Sequence, residues 1–331
     1  MALSWLFGAP FNPKTDIPPL EGKVIIVTGG NAGLGKAQLQ HLVENGVKAK
    51  LYLGARSKAK ADEAIKDIEA VSPPGTKVHF LQMDLTDLAS VKAAAETIKR
   101  ENDRLDILVN NAGIMMHPPS LTKDGYEVQF GTNHVGHYLF TRLLLPLLQK
   151  TAADPKNDVR ILNLSSEGHK AAPSGGFLPD KVKTVMDDYG SLTRYGQSKL
   201  ANHLFTTELA RRYPEVTTVS IHPGAVATNL SHEYQRNHPI LASMFAWIIK
   251  LVAPGPAKGA LNQVWATVAN VEGKPGYGSK NERKLVSGLY YVPVAKEGWI
   301  SGYAKDAGLA KKLWEWSEDE MQTKGFLTAA D

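Results

Sequence analysis

The chain of 331 residues has no cysteine, which excludes disulfides, thiolate metal ligands and cysteine nucleophiles at once. It also lacks an apolar run able to cross a bilayer: "MFAWIIKLVA" (244–253) carries a lysine and has about half of the roughly 20 residues required. Charge of one sign is nowhere concentrated. Lysine and arginine total 38 against 33 aspartates and glutamates, interspersed along the chain, so the net +5 makes a mixed solvated surface rather than a nucleic-acid stripe. The opening "MALSWLFGAPF" has neither the basic n-region nor the small-residue cleavage pattern of a signal peptide. Internal repeats and low-complexity tracts are missing too. The expectation is a soluble, cytoplasmic globular protein with no nucleic-acid partner and no transmembrane segment, peripheral membrane contact being left open.

What is present is alternation. Short apolar runs at 23–29, 50–55, 78–84, 106–110, 159–166, 218–224 and 288–293 read as strands. They are continuous rather than alternating, as expected of parallel strands covered on both faces. Between them lie helical patterns, among them 35–45, 58–70, 87–101, 129–150, 191–213 and 257–271. Strand–helix–strand repetition predicts a single α/β domain built on a doubly wound parallel sheet over 21–325, with an N-terminal extension at 1–20 and a tail at 326–331. The long, weakly patterned stretch 229–256 reads either as a substrate-binding lid or as an irregular helix packing on the core or a partner.

The first strand ends in "TGGNAGLG" (28–35), with Gly29, Gly33 and Gly35 at G-x-x-x-G-x-G spacing. Glycines at a strand-to-helix turn let backbone N–H groups approach a pyrophosphate at the positive end of the helix. No G-K-[ST] follows, so this is a dinucleotide turn rather than a P-loop. The second strand ends at Arg56, with Lys58 and Lys60 beyond it, where an NAD site would place a carboxylate. A guanidinium there suits a 2′-phosphate, which predicts NADP(H); the same Arg56–Lys60 run also reads as an ordinary solvated helix start.

In "RYGQSKLANH" (194–203), Tyr195 and Lys199 fall on one helix face about 6 Å apart along the axis. Together with "TGGNAGLG", "MDLTD" (83–87), "NNAG" (110–113), "NHVGH" (133–137), "NLSS" (163–166) and "HPGAVAT" (222–228), this resembles the short-chain dehydrogenases/reductases of the classical type. The likeness runs over about residues 20–320. It is nearest the retinol-dehydrogenase-like and WW-domain-oxidoreductase-like branch, on "NHVGHYLFT" (133–141), "YGQSKLAN" (195–202) and "LWEWSED" (313–319).

The resemblance implies a Rossmann-type fold and a catalytic tetrad of Asn133, Ser166, Tyr195 and Lys199. Spacing alone leaves Ser165 and Ser166 open; the family uses the second of the pair. Tyr195 would exchange a proton with the reacting oxygen. Closing the gap from a phenol pKa near 10 to neutrality takes roughly 4 kcal/mol of phenolate stabilisation, for which the Lys199 cation is an adequate source. Ser166 would hydrogen-bond that oxygen, Lys199 would hold the nicotinamide ribose, and Asn133 would hold a water relaying protons to Lys199. The resemblance also places Gly29, Asn31, Gly33, Leu34, Gly35, Arg56, Asp84, Leu85, Asn111, Ala112, Gly113, Pro223, Gly224, Val226 and Thr228 against the cofactor. Asp84 would meet the adenine amino group and Thr228 the nicotinamide carboxamide. One departure weakens the NADP(H) expectation: Gly30 stands where NADP-preferring relatives often carry a basic or hydroxyl residue.

Other readings carry less. His134 and His137 lack a third ligand type and read as structural, so no metal is expected. Ser166, Glu167 and His169 suggest a hydrolase, but the G-x-S-x-G elbow is absent. His222 reads as a buried structural histidine, and Phe245, Trp247, Ile248 and Ile249 as an apolar roof over substrate or a dimer contact. The resulting expectation is an NADP(H)-dependent enzyme interconverting a ketone or aldehyde and an alcohol, reducing a hydrophobic carbonyl such as a secondary-metabolite, steroid or retinoid-like compound. Alternatives are an NADP(H)-binding regulatory or scaffold protein, and non-redox chemistry such as dehydration or cyclisation. A homodimer is common in the family, and nothing in the chain decides it.

Overall fold

Continuous apolar runs with side chains pointing alternately to two faces need cover on both, and the chain supplies it with helices. The computed structural model describes residues 11–224, 255–274 and 276–328. Its strands are β1 (Val24–Thr28), β2 (Lys50–Ala55), β3 (Val78–Gln82), β4 (Ile107–Asn110), β5 (Arg160–Leu164), β6 (Thr217–Ile221), β7 (Tyr290–Val292) and β8 (Lys296–Glu297). They form one sheet in the order β3-β2-β1-β4-β5-β6-β7-β8. Pairing is parallel throughout except for the antiparallel β7–β8 edge. The order reverses between β1 and β4, and at such a switch point the loops diverge and leave a crevice at the carboxyl ends of the strands.

The two covering layers are separate apolar clusters. In β1, Val24 and Ile26 face one, while Ile25 and Val27 face the other. Along the chain the helices are α1 (Pro13–Asp16), α2 (Gly33–Glu44), α3 (Lys58–Glu69), α4 (Leu88–Glu101), α5 (Val128–Phe130), α6 (Gly136–Ala152), α7 (Ser191–Arg212), α8 (Pro256–Gly259), α9 (Leu261–Val268) and α10 (Ala307–Thr323). α2, α3 and α9 cover one face; α4, α6, α7 and α10 cover the other. This is the doubly wound, Rossmann-type single domain that the alternation predicts. Phe11 and Leu20, within the stretch expected as an extension, are buried in the α2-side layer, and Leu327 is buried in the opposite one.

Two departures from the sequence pattern matter. The helix expected over 129–150 is interrupted by a wide π-turn, Gly131–Val135, in which the N–H of Gly136 reaches the carbonyl of Gly131. The helix α10 was not among the patterns singled out, although Leu309, Ala310, Leu313, Trp314, Ser317 and Met321 recur on one buried face and Asp306 caps its start. Trp314 packs edge-on to Tyr138 and tilted against Phe205 and Tyr213, and Glu318 accepts from Tyr138 and Arg142. No described helix is long and apolar enough to cross a membrane.

Candidate active site

At the end of β1 the chain turns so tightly that side chains are excluded. Gly29 has φ +68° and donates to Gly54 O at 2.7 Å, and a Cβ on Gly35 would lie 2.6 Å from the carbonyl oxygen of Gly29. Asn31 lies half-buried in this turn, and Leu34 is buried in the α2-side layer. Helix α2 then opens at Gly33 with Ala32 as its N-cap, a residue that offers no side-chain acceptor. Its first N–H groups therefore have no side-chain cap, whereas Ser57 caps α3 and Asp87 caps α4. Gly30 has a packing reason: a Cβ there would meet Leu53 at 2.8 Å and Leu39 at 3.0 Å. A side chain at position 30 would point into the core in this conformation.

Arg56 is exposed at the carboxyl end of β2, and its carbonyl accepts from Gln82 at 2.8 Å. Among the described residues its guanidinium has no ion-pair partner, whereas Lys58 is paired with Asp62. Asp84 spends one carboxylate oxygen, Oδ1, on the N–H and hydroxyl of Thr86. Leu85 is buried, and its carbonyl would lie 2.7 Å from a Cβ on Gly136. Asn111 and Ala112 donate their N–H groups to the Thr28 hydroxyl, both at 2.9 Å, so the loop after β4 is stitched to the end of β1. Pro223 and Gly224 are half-buried beyond β6, where Gly224 has φ +89°. Val226, Thr228, the residues Phe245, Trp247, Ile248 and Ile249, and the 229–254 part of the expected lid lie outside the described residues.

The catalytic candidates converge between β5 and α7. Lys199 is buried, donates to Leu164 O at 3.0 Å and lies 5.7 Å from the Tyr195 ring centre. Burial pulls its ammonium down to about 8. A Cβ on Gly113 would stand 3.3 Å from Lys199 Nζ and 3.1 Å from Asn133 Oδ1, so Gly113 leaves the approach to both open. Burial pushes the Tyr195 phenol above its ordinary value, and a bond with Ser166 draws it partly back. Sequence reasoning expected a phenol lowered by its lysine; the net direction in the protein alone is upward, because burial outweighs the Ser166 hydrogen bond.

The serine ambiguity resolves by direction. Ser165 donates to Lys199 O at 2.7 Å, a structural bond, whereas Ser166 faces the phenol and accepts from Gly168 N at 3.0 Å. Asn133 sits in the π-turn with its amide spent on Ile114 O and Ser198 Oγ, both at 2.9 Å, and its Oδ1 accepts from Ile114 N at 2.8 Å. A hydrolase arrangement fails on His169: its Nδ1 faces Ser166 O at 2.7 Å and its Nε2 accepts from Ser301 N, which leaves no nitrogen for the Ser166 hydroxyl.

The comparisons with known proteins agree with this geometry. The family model described as short chain dehydrogenase matches residues 23–176. A short-chain dehydrogenase/reductase of Aspergillus calidoustus, drtF, is 38% identical over 323 residues, covering 94% of this chain and 97% of that protein. The chain belongs to the short-chain dehydrogenase/reductase family. Human retinol dehydrogenase 14 is 36% identical over 315 residues, 90% of this chain and 86% of its own, so the chain stands near the retinol-dehydrogenase-like branch. Among solved structures, an uncharacterized protein of Mycobacterium paratuberculosis superposes with a TM-score of 0.67 at 27% identity, over 93% of this chain and 96% of that one. As a short-chain dehydrogenase/reductase, the protein is an oxidoreductase that uses a nicotinamide dinucleotide and a small-molecule substrate.

Sequence reasoning passed over Thr28, Ser198 and the part played by His137. Thr28 was readable only as the residue before a glycine, and His137 only as the second half of a histidine pair. The partners of Thr28 lie 83 to 109 residues away in the chain, and Ser198 meets Asn133 across 65, separations no local spacing reveals.

Proposed function

We propose that the protein is an NADP(H)-dependent reductase of an apolar ketone or aldehyde. The reading is carried by the buried Tyr195 and Lys199 with the half-buried Ser166, beside the side-chain-free Gly113. NADP(H), when bound, supplies the hydride. The turn Gly29–Gly35 and the uncapped start of α2 would receive the pyrophosphate. Arg56, unpaired among the described residues, would hold the 2′-phosphate through charge-assisted hydrogen bonds. The free Oδ2 of Asp84 would meet the adenine amino group, with Leu85, Asn111, Ala112 and Gly113 along the adenosine side and Pro223, Gly224, Val226 and Thr228 towards the nicotinamide.

Lys199 would hold the ribose hydroxyls, Ser166 would donate to the carbonyl oxygen, and Tyr195 would deliver the proton to that oxygen. A phenol held above its ordinary pKa is protonated at neutral pH, which suits it as the acid of a reduction. Since the Asn133 amide is committed elsewhere, a relay water would rest on its main-chain carbonyl. An apolar substrate is supported by the stretch 229–256, whose charged residues are only Glu233, Arg236 and Lys250, and by a relative named for retinol. We place the work of the chain in the cytoplasm.

Calorimetric titration with NADPH and with NADH tests the cofactor; a preference for NADH sinks the role given to Arg56. Tyr195→Phe tests the chemistry. It should cut carbonyl reduction by about 10²- to 10⁴-fold while NADPH affinity stays within a few-fold. Turnover retained within a few-fold refutes the assignment.

A further inference from the structure

One buried imidazole bridges the cofactor turn and the catalytic helix, and its proton can be located by counting. The Thr28 hydroxyl accepts from two backbone donors, Asn111 N and Ala112 N, each at 2.9 Å. A hydroxyl has two lone pairs and one proton, so its acceptor capacity is used and the proton must be given away. The remaining neighbour is His137 Nε2 at 2.9 Å. Nε2 is therefore the bare nitrogen, and the ring proton sits on Nδ1, which faces the Asn133 carbonyl at 3.0 Å. Asn111 N also reaches Val109 O at 3.0 Å, but the Asn133 carbonyl can only accept, so that end alone requires the proton on Nδ1 and leaves Nε2 of a neutral ring to accept from Thr28.

The ends of the bridge are what give it meaning. Thr28 immediately precedes Gly29, and its own carbonyl accepts from Asn111 Nδ2 at 2.7 Å. Asn133 clamps Ile114 and, through Ser198, the helix that carries Tyr195 and Lys199. The π-turn presents the Asn133 carbonyl to the ring four residues on. We propose that His137 is a positioning residue: a permanently neutral, Nδ1-protonated imidazole that holds the dinucleotide turn in register with the Asn133 carbonyl. The proposal rests on the dinucleotide reading of Gly29–Gly35.

Neutrality has independent physical support. Burial, with the Lys199 ammonium adding to it, pulls the imidazole down to about 4 although the Asn133 carbonyl favours the cation. An imidazolium would also have to donate to a Thr28 oxygen that two backbone N–H groups already approach at 2.9 Å. His137 thus carries orientation and no proton.

Two substitutions separate the ends, because an asparagine amide reaches where Nδ1 is and a glutamine amide reaches where Nε2 is. His137→Gln keeps the acceptor for Thr28 and should bind NADPH within about twofold of the parent protein. His137→Asn keeps only the Asn133 end and should lose about 10-fold in NADPH affinity, as should His137→Phe, since a buried hydroxyl proton is left unpaired beside the turn. Matched melting temperatures for the Gln and Asn variants with unequal NADPH affinities mark positioning rather than bulk stability. Equal loss in the Gln and Phe variants, or no loss in Phe, overturns the proposal.

Nitrogen-15 spectra of histidine-labelled parent protein with saturating NADPH read the tautomer directly, even if every variant fails to fold. An Nδ1-protonated ring unchanged from about pH 5.5 to 8.5 is expected, and an Nε2-protonated or titrating ring refutes the bridge. Should the parent bind neither NADPH nor NADH, the dinucleotide reading falls and the proposed coupling falls with it. The same spectra without nucleotide then show whether the bridge survives as structure only.

Discussion

Helices α2 and α4 both leave the carboxyl end of a strand in the same sheet, yet their first turns are finished in opposite ways. At α4, Asp87 accepts from Ala89 N and Ser90 N, so the end is satisfied from within and faces solvent as a closed structure. At α2, the Ala32 side chain accepts nothing, so the first N–H groups have no side-chain cap. A capping bond contributes about 1 kcal/mol, and α4 has one where α2 does not. On the other side of the crevice, Lys199 and Tyr195 are both buried at a cost to their charged forms.

Reversing the α2 end should produce the largest effect. Ala32→Asp would place a carboxylate beside the expected pyrophosphate, which at an effective dielectric near 20 costs several kcal/mol, so NADPH affinity should fall on the order of 100-fold or more. The melting temperature should rise at the same time, because the new carboxylate caps the helix. Titration calorimetry and a thermal melt on one sample read both signs, and a variant that binds NADPH like the parent breaks the comparison.

Lys199→Met removes a buried cation whose folded pKa of about 8 lies below its ordinary value. A depressed lysine costs stability in full below the folded pKa, and the cost fades as pH rises from about 8 towards 10.5. Near neutrality the variant should therefore gain up to roughly 3 kcal/mol, less whatever the Leu164 bond contributes, and the gain should vanish towards pH 10.5. Urea melts at two pH values test the sign; equal differences at both would refute it.

Arg56→Ala should weaken NADPH by roughly 10- to 150-fold and leave NADH nearly unchanged. Equal loss for both nucleotides would remove the 2′-phosphate role. The smallest effect belongs to the closed end: Asp87→Ala should destabilise by about 1 kcal/mol in denaturant and leave NADPH affinity where it was.

Much of this contrast was legible in the chain. The strands stand within a few residues of their apolar runs, because fully covered parallel strands must be apolar throughout. The glycine turn, Arg56 and the Tyr195–Lys199 pair were readable because each uses a short, fixed spacing. Three things were not. The direction of the Tyr195 pKa depends on how much water reaches the phenol, which no motif encodes. The π-turn at Asn133 inserts into a pattern that still reads as one helix. The Thr28–His137 bridge joins residues whose neighbourhood exists only after β1 and β4 pair.

Helix α10 has a consequence in time as well as in space. It is made after everything it covers, and its Trp314, Glu318 and Glu320 close over Tyr138, Arg142, Tyr126 and Lys183. On a ribosome adding about 5–20 residues per second, α7 waits roughly ten seconds for that outer wall. Until then the ring contacts of Phe130, Tyr138 and Phe205 with Trp316 and Trp314 cannot form. A codon change that slows synthesis between α7 and α10 would leave the finished sequence untouched and still lower the yield of folded protein.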